Sequence, residues 1–213
     1  MAAVRLHTVL PEYRGRVRLR IRFFPLEIYG GEPPPRDILE QEWWLAALQE
    51  PAAVFVPYRG ETWPATTLLA FRAAWSAFQT DEAAGDDFDL RVRRAFFGES
   101  RDIGQREVLL AIAREAGLDL PRFTQLLDSE RSLAAVLAEG QRGREQYGVR
   151  GTPTLMLPDG TRLHHPIAFP RMRQRRVIGV RPLPCCGNDC LAATRELFEA
   201  ALRHSGPAVR PDA

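Results

Sequence analysis

Three thiols fall within six positions near the end of the chain, as Cys185-Cys186-Gly187-Asn188-Asp189-Cys190. Thiolates attack disulfides and bind soft metals, so such a cluster raises redox and metal chemistry first. Cys190 falls in the first turn of the expected closing helix, where main-chain N–H groups lower a thiol pKa. The neighbouring Asp189 carboxylate acts in the opposite sense. Cys186 and Cys190 bridge only if a turn at Gly187 brings their Cβ atoms within about 4 Å, because helical spacing holds them too far apart. His164 and His165 add imidazoles, but a Cys-Cys-x-x-x-Cys spacing matches no standard zinc pattern and forces no fourth ligand. Three readings stay open: structural or incidental thiols, a secondary redox pair drawn from Cys185, Cys186 and Cys190, and a metal site. No resident metal is expected.

Other constellations carry less. Arg171-Met172-Arg173-Gln174-Arg175-Arg176 is the one strongly basic run, read as a solvated loop. Asp86 and Asp87 sit at a loop or helix start and need no catalytic reading. Ser100 and Ser129 have no histidine in a sensible context, so a hydrolase triad is unsupported.

The 213 residues suffice for one domain, or one domain with a large insertion. With 45% hydrophobic residues and a net charge of +2, disorder is excluded. No run approaches the roughly 18 apolar residues of a membrane span, so no membrane partner is expected. The near-neutral balance removes the simplest case for nucleic acid as a partner. All 29 basic residues are arginine, a bias that fits coding preference as well as function. The first residues show no basic region followed by an uninterrupted apolar core, so the expected compartment is the cytoplasm, where clustered thiols are seldom structural disulfides.

Periodicity supplies the elements. Residues 3–13 read as a short helix with Val4, Leu6, Val9 and Leu10 apolar. In Arg16–Phe23, arginines alternate with apolar residues at period two, which predicts a strand with one buried face. Residues 25–35 read as a Pro/Gly loop. A helical stretch follows to about Tyr147: a first stripe at Leu39, Trp43 and Ala46, and a second helix opened by Pro64 with Leu68, Phe71, Trp75 and Phe78. A third carries Phe88, Val92 and Phe96. Residues 104–117 stop at Gly117, Asp119 caps a helix with Phe123, Leu126 and Leu127, and residues 130–147 bury Leu133, Val136 and Leu137. After Gly148 the pattern turns to strands at 154–157, 161–164 and 176–181, with a turn at Pro158-Asp159-Gly160. A closing helix runs over 189–203 and a frayed tail over 206–213. Helices arriving as one block inside a sheet predict an α/β fold with a large all-helical insertion.

The stretches REVLLAIAREAGLDLPRFTQLLDSE (106–130) and GREQYGVRGTPTLML (143–157) resemble DsbA-like thioredoxin-fold proteins. The likeness is strongest to the FrnE-like branch, which includes the 2-hydroxychromene-2-carboxylate isomerases. VRLRIRFFPLEI (17–28) resembles that family's second strand and its exit. The resemblance implies a thioredoxin-like domain from residues 1–30 and 148–205, a helical insertion over 31–147 and a disordered tail over 206–213. It also implies a cis Thr152–Pro153 bond, with Gly151, Thr152 and Pro153 as the loop that faces substrate.

The departure matters equally. The family's Cys-x-x-Cys occurs nowhere here, and by the resemblance it belongs upstream of residues 3–13, together with the first strand. Two explanations are open: the chain begins late, or it is a short variant without the thiols. Three functions are then expected to compete. The first is a DsbA-like thiol–disulfide oxidoreductase acting on protein or small disulfide substrates. The second is a glutathione-dependent isomerase or transferase; no resident cofactor is expected, and glutathione is the one candidate, under this second function alone. The third is a non-catalytic thioredoxin-like binding module.

Overall fold

The computed structural model describes residues 1–30, 35–50, 52–157, 159–164, 170–180 and 190–204. The chain divides into two compact units, residues 1–21 with 151–213, and residues 22–150. The architecture is thioredoxin-like, an α/β fold with a helical insertion. The expected tail at 206–213 lies outside the described residues, as do Cys185, Cys186 and His165.

The unit 22–150 is helical. Its elements are α2 (Leu26–Tyr29), α3 (Arg36–Gln49), α4 (Leu68–Thr80), α5 (Glu82–Glu99), α6 (Arg106–Glu115), α7 (Leu120–Asp128) and α8 (Glu130–Glu145), numbered to follow α1 (Ala2–Val9) of the other unit. Helix α4 is central and packs against α5, α6, α7 and α8. Its Ala70, Ala73, Ala74 and Ala77 are buried together with Trp75 and Ser76, small side chains that let neighbouring helices approach closely. Phe88, Leu109, Ile112, Phe123, Leu127 and Val136 are wholly buried around it.

Local chemistry sets the ends. The Asp81 carboxylate accepts from Ala84 N at 2.7 Å and that of Asp119 from Arg122 N at 3.2 Å, so each occupies an N-cap. Gly117 adopts φ +72, and Leu118 N donates to Ala113 O at 3.0 Å, the pairing of a Schellman stop to α6. Glu27 of α2 accepts from Thr67 N at 3.1 Å and from the Thr66 and Thr67 hydroxyls at 3.0 Å, capping α4 from outside its own sequence. Arg72 closes the far end of α7, donating to Leu127 O at 2.8 Å and Ser132 Oγ at 3.0 Å.

The other unit holds the terminal helices and the strands. Helix α1 runs into a 3₁₀ turn at Leu10–Tyr13, and both lie against α9 (Cys190–Arg203). Val9, Tyr13 and Phe198 form its buried cluster, with the Tyr13 and Phe198 rings stacked at 5.0 Å. Arg195 grips Glu12 through two bonds of 2.7 and 2.9 Å. Strands β1 (Thr154–Met156) and β2 (Arg162–His164) pair antiparallel, with Leu155 opposite Leu163. Strands β3 (Pro170–Arg173) and β4 (Arg176–Val180) form a second antiparallel pair.

Four expectations are corrected. Arg16–Phe23 is not a strand: its burial alternates, with Val17, Leu19 and Ile21 half-buried and Arg16, Arg18, Arg20 and Arg22 exposed, yet it joins neither sheet of the described residues. Period-two alternation fixes which face is wet, but a ladder also needs a neighbour in register. Residues 26–29 form one helical turn inside the expected loop, started by Pro25. Pro64 does not open α4, which begins at Leu68 behind Thr67. The basic run at 171–176 is the tip of the β3–β4 hairpin and not a loop.

Candidate functional site

The candidate site is built on the loop that enters β1. Gly148 has φ +59, a left-handed turn residue that ends the helical stretch. The Thr152–Pro153 peptide bond is cis. Thr154 Oγ1 donates to Gly151 O at 2.6 Å, which closes the loop on itself just before the strand. Thr152 is exposed and Pro153 half-exposed. A Cβ placed on Gly151 would meet nothing within 4 Å, so the approach to this loop is open. Among the described residues, the main-chain N–H and C=O of Thr152 have no hydrogen-bond partner. An exposed, partnerless peptide group beside a proline ring is suited to receive another extended main chain, as strand-addition sites do.

Cys190 is the first residue of α9, is buried and is disulfide-bonded. The other two cysteines, Cys185 and Cys186, lie outside the described residues. The Cys190 carbonyl accepts from Thr194 Oγ1 at 2.9 Å, which anchors the first turn of the helix. Among the described residues, no cluster of three histidine, cysteine or carboxylate side chains is placed to hold a metal ion.

Charges elsewhere in this unit are ordered locally. Asp159, in the β1–β2 turn, accepts from Thr161 N at 2.8 Å and pairs with His204 at 2.8 Å. Those contacts, the Thr161 N–H first, hold its carboxyl below the usual range. Burial pushes the Tyr13 phenol up, and its bond to Glu199 at 2.8 Å adds to this. The Arg195 hydrogen bond holds Glu12 down.

One feature was invisible to motif reading. The β3–β4 register sets Arg173 opposite Arg176, and Arg171 two residues along the same strand, so three arginines share one face of the hairpin. The signal lay in the alternation of Arg171-Met172-Arg173, too short to separate from a basic loop.

Comparisons with known proteins agree with this architecture. The DSBA-like thioredoxin domain family matches over residues 2–174. An uncharacterised protein, YwbO of Bacillus subtilis (strain 168), is 24% identical over 148 residues, which are 66% of this chain and 73% of that one. A crystal structure of a candidate protein disulfide isomerase from Nitrosomonas europaea superposes with a TM-score of 0.65 at 21% identity, covering 96% of this chain and 91% of that one. A 2-hydroxychromene-2-carboxylate isomerase gives 0.54 at 19% identity, over 76% of this chain and 80% of its own. These likenesses carry the fold, and the family match carries the assignment: the chain belongs to the DSBA-like thioredoxin domain family.

Proposed function

We propose that this chain is a cytoplasmic DsbA-like thiol–disulfide protein whose Gly151-Thr152-Pro153 loop holds the extended main chain of a protein or small disulfide substrate. One observation carries the reading: among the described residues the main chain of the exposed Thr152 has no hydrogen-bond partner, and Pro153 lies beside it. A donor and acceptor held open on a short, self-closed loop gain two hydrogen bonds when a strand lies against them. No Cys-x-x-Cys occurs in these 213 residues, so the family's usual exchange step is not assigned to any residue here.

Cys190 and its partner form the secondary redox pair. A substrate thiolate attacks one sulfur of that disulfide, giving a mixed disulfide and one free protein thiolate. A second substrate thiolate then displaces the protein sulfur. The substrate gains a disulfide, and the chain takes up two electrons and two protons as two thiols. The cysteines therefore act as an oxidant once per cycle and need an external disulfide, such as oxidised glutathione, to be restored.

The loop is tested without any thiol chemistry, by fluorescence anisotropy with a neutral, cysteine-free extended peptide. Thr152→Pro removes the donor and is expected to weaken binding about tenfold or more, the cost of one lost main-chain bond and its geometry. Melting temperature confirms that the variant folds. A second readout is amide exchange, which should slow at Thr152 when peptide is bound. Unchanged affinity in Thr152→Pro together with unchanged exchange at Thr152 would refute the loop's role. Retention on glutathione resin, released by free glutathione and insensitive to peptide, would instead favour the glutathione-dependent reading.

A further inference from the structure

The net charge of +2 conceals a separation. Residues 1–21 with 151–213 carry fourteen arginines and six carboxylate side chains, a net charge of +8. Residues 22–150 carry fifteen arginines and twenty-one carboxylates, a net charge of −6. All four histidines, His7, His164, His165 and His204, also belong to the basic unit. Between Asp159 and Asp189 there is no acidic residue at all, while six arginines occur.

The two units also treat their arginines differently. In the helical unit, arginines are matched to carboxylates: Arg91 with Asp87 at 2.6 Å, Arg93 with Asp89 at 2.8 Å, Arg106 with Asp128 at 2.7 Å, and Arg101 with Glu115 at 3.3 Å. On the β3–β4 hairpin, Arg171, Arg173 and Arg176 are exposed and, among the described residues, have no carboxylate partner. Arg173 and Arg176 stand directly opposite each other across the ladder, an arrangement that repels. The tip adds to this cost, since Gln174 and Arg175 hold φ of +46 and +61 without glycine. A hairpin that aligns like charges over a strained turn is stabilised by whatever anion lies across that face.

We propose that the basic unit selects acidic extended polypeptides, which lie along the arginine face of the β3–β4 hairpin. The proposal rests on the Gly151–Pro153 loop binding main chain and adds the charge of the chain bound. Arginine forks grip carboxylates in bidentate fashion. On β4, Ile178 sits at the register shift beside the arginines and is 59% exposed, a contact that a polypeptide can use and a phosphodiester backbone cannot; Met172 alternates onto the opposite face.

The test uses the full chain and two labelled cysteine-free peptides, one alternating Glu with Val, the other with Gln in place of each Glu. Anisotropy should show the acidic peptide bound at least about tenfold more tightly, the preference collapsing between about 50 and 300 mM salt as screening shortens. The triple variant Arg171→Gln, Arg173→Gln, Arg176→Gln should bind both peptides alike, and circular dichroism checks its fold. Arg171→Glu alone should already weaken the acidic peptide while sparing the neutral one. Equal binding of the two peptides by the unaltered chain overturns the proposal and leaves the loop reading intact. So does a preference that survives in the triple variant, or a short DNA duplex that binds more tightly than the acidic peptide through the same arginines. If neither peptide binds, the loop reading falls and this one with it.

Discussion

Phe123→Ala is expected to remove about 3–5 kcal/mol from the stability of the helical unit. The ring is fully buried on α7 and packs at 5.4 Å against Phe88 of α5, which is fully buried as well. Leu109, Ile112 and Leu127, all without exposed surface, complete this part of the core. Truncation forfeits the transfer energy of the ring and leaves a cavity that helices on several sides cannot close together. A domain of this size holds only about 5–15 kcal/mol in total, so the midpoint should fall by roughly 10–20 °C. The readout needs no dissection of the chain. All four tryptophans, Trp43, Trp44, Trp63 and Trp75, belong to residues 22–150, so their fluorescence in urea reports that unit. Phe123→Leu, which keeps most of the volume, should lose far less. A loss below about 1 kcal/mol in Phe123→Ala would contradict the packing described.

The second large effect tests a close approach. Gly140 of α8 faces the Tyr29 ring, and a Cβ at that position would overlap Tyr29 Cε2 and lie 2.7 Å from its Cδ2. The ring cannot swing aside freely, because its hydroxyl donates to Leu137 O at 2.7 Å and it lies 5.5 Å from the Phe24 ring. Exchanging glycine for alanine in mid-helix would ordinarily gain about 1 kcal/mol. Overpacking of this kind costs about 1–3 kcal/mol, so Gly140→Ala should emerge destabilised despite its better propensity. The sign is the decisive quantity. In a Tyr29→Ala background the clash is gone, and the same change should be neutral or stabilising. Equal effects in both backgrounds would show that the ring does not set the limit.

How far the sequence reached depended on what each signal measures. Helix ends were legible because caps are local: Asp119 and Gly117 act through their own backbone neighbours and were identified from type and position alone. The core of α4 was not. Of the expected stripe Leu68, Phe71, Trp75 and Phe78, Trp75 is buried but the other three are only half-buried, whereas Ala70, Ala73, Ala74 and Ala77 line the interior. A central helix is covered on nearly every side, so its apolar residues carry no single period, and alanine is ambiguous in any hydrophobic pattern. Ser132 and Gly140, buried on α8 beside Val136, were missed for the same reason. Arg16–Phe23 shows the converse failure. Its alternation correctly told which side chains face water, but a ladder depends on a second strand elsewhere, which no local pattern encodes. At the candidate site, Gly151, Thr152 and Pro153 were found through likeness to a family. That the Thr152 main chain has no hydrogen-bond partner among the described residues is visible only in three dimensions.

The run from Val17 to Ile21 also determines how the chain can be split. It has no helix or strand, carries exposed arginines at 18 and 20, and joins neither sheet of the described residues. Such main chain fits directly into the cleft of a protease that cuts after arginine, while helical arginines must unwind first. A nick after Arg20 would break one of the two covalent crossings between the units and leave the other, at Arg150–Gly151, untouched. The severed piece would stay in place, held by Val9 and Tyr13 against Phe198 and by Glu12 on Arg195. The N-terminal peptide and the remaining chain are therefore expected to co-elute on gel filtration after limited tryptic cleavage, joined by one stacked aromatic core.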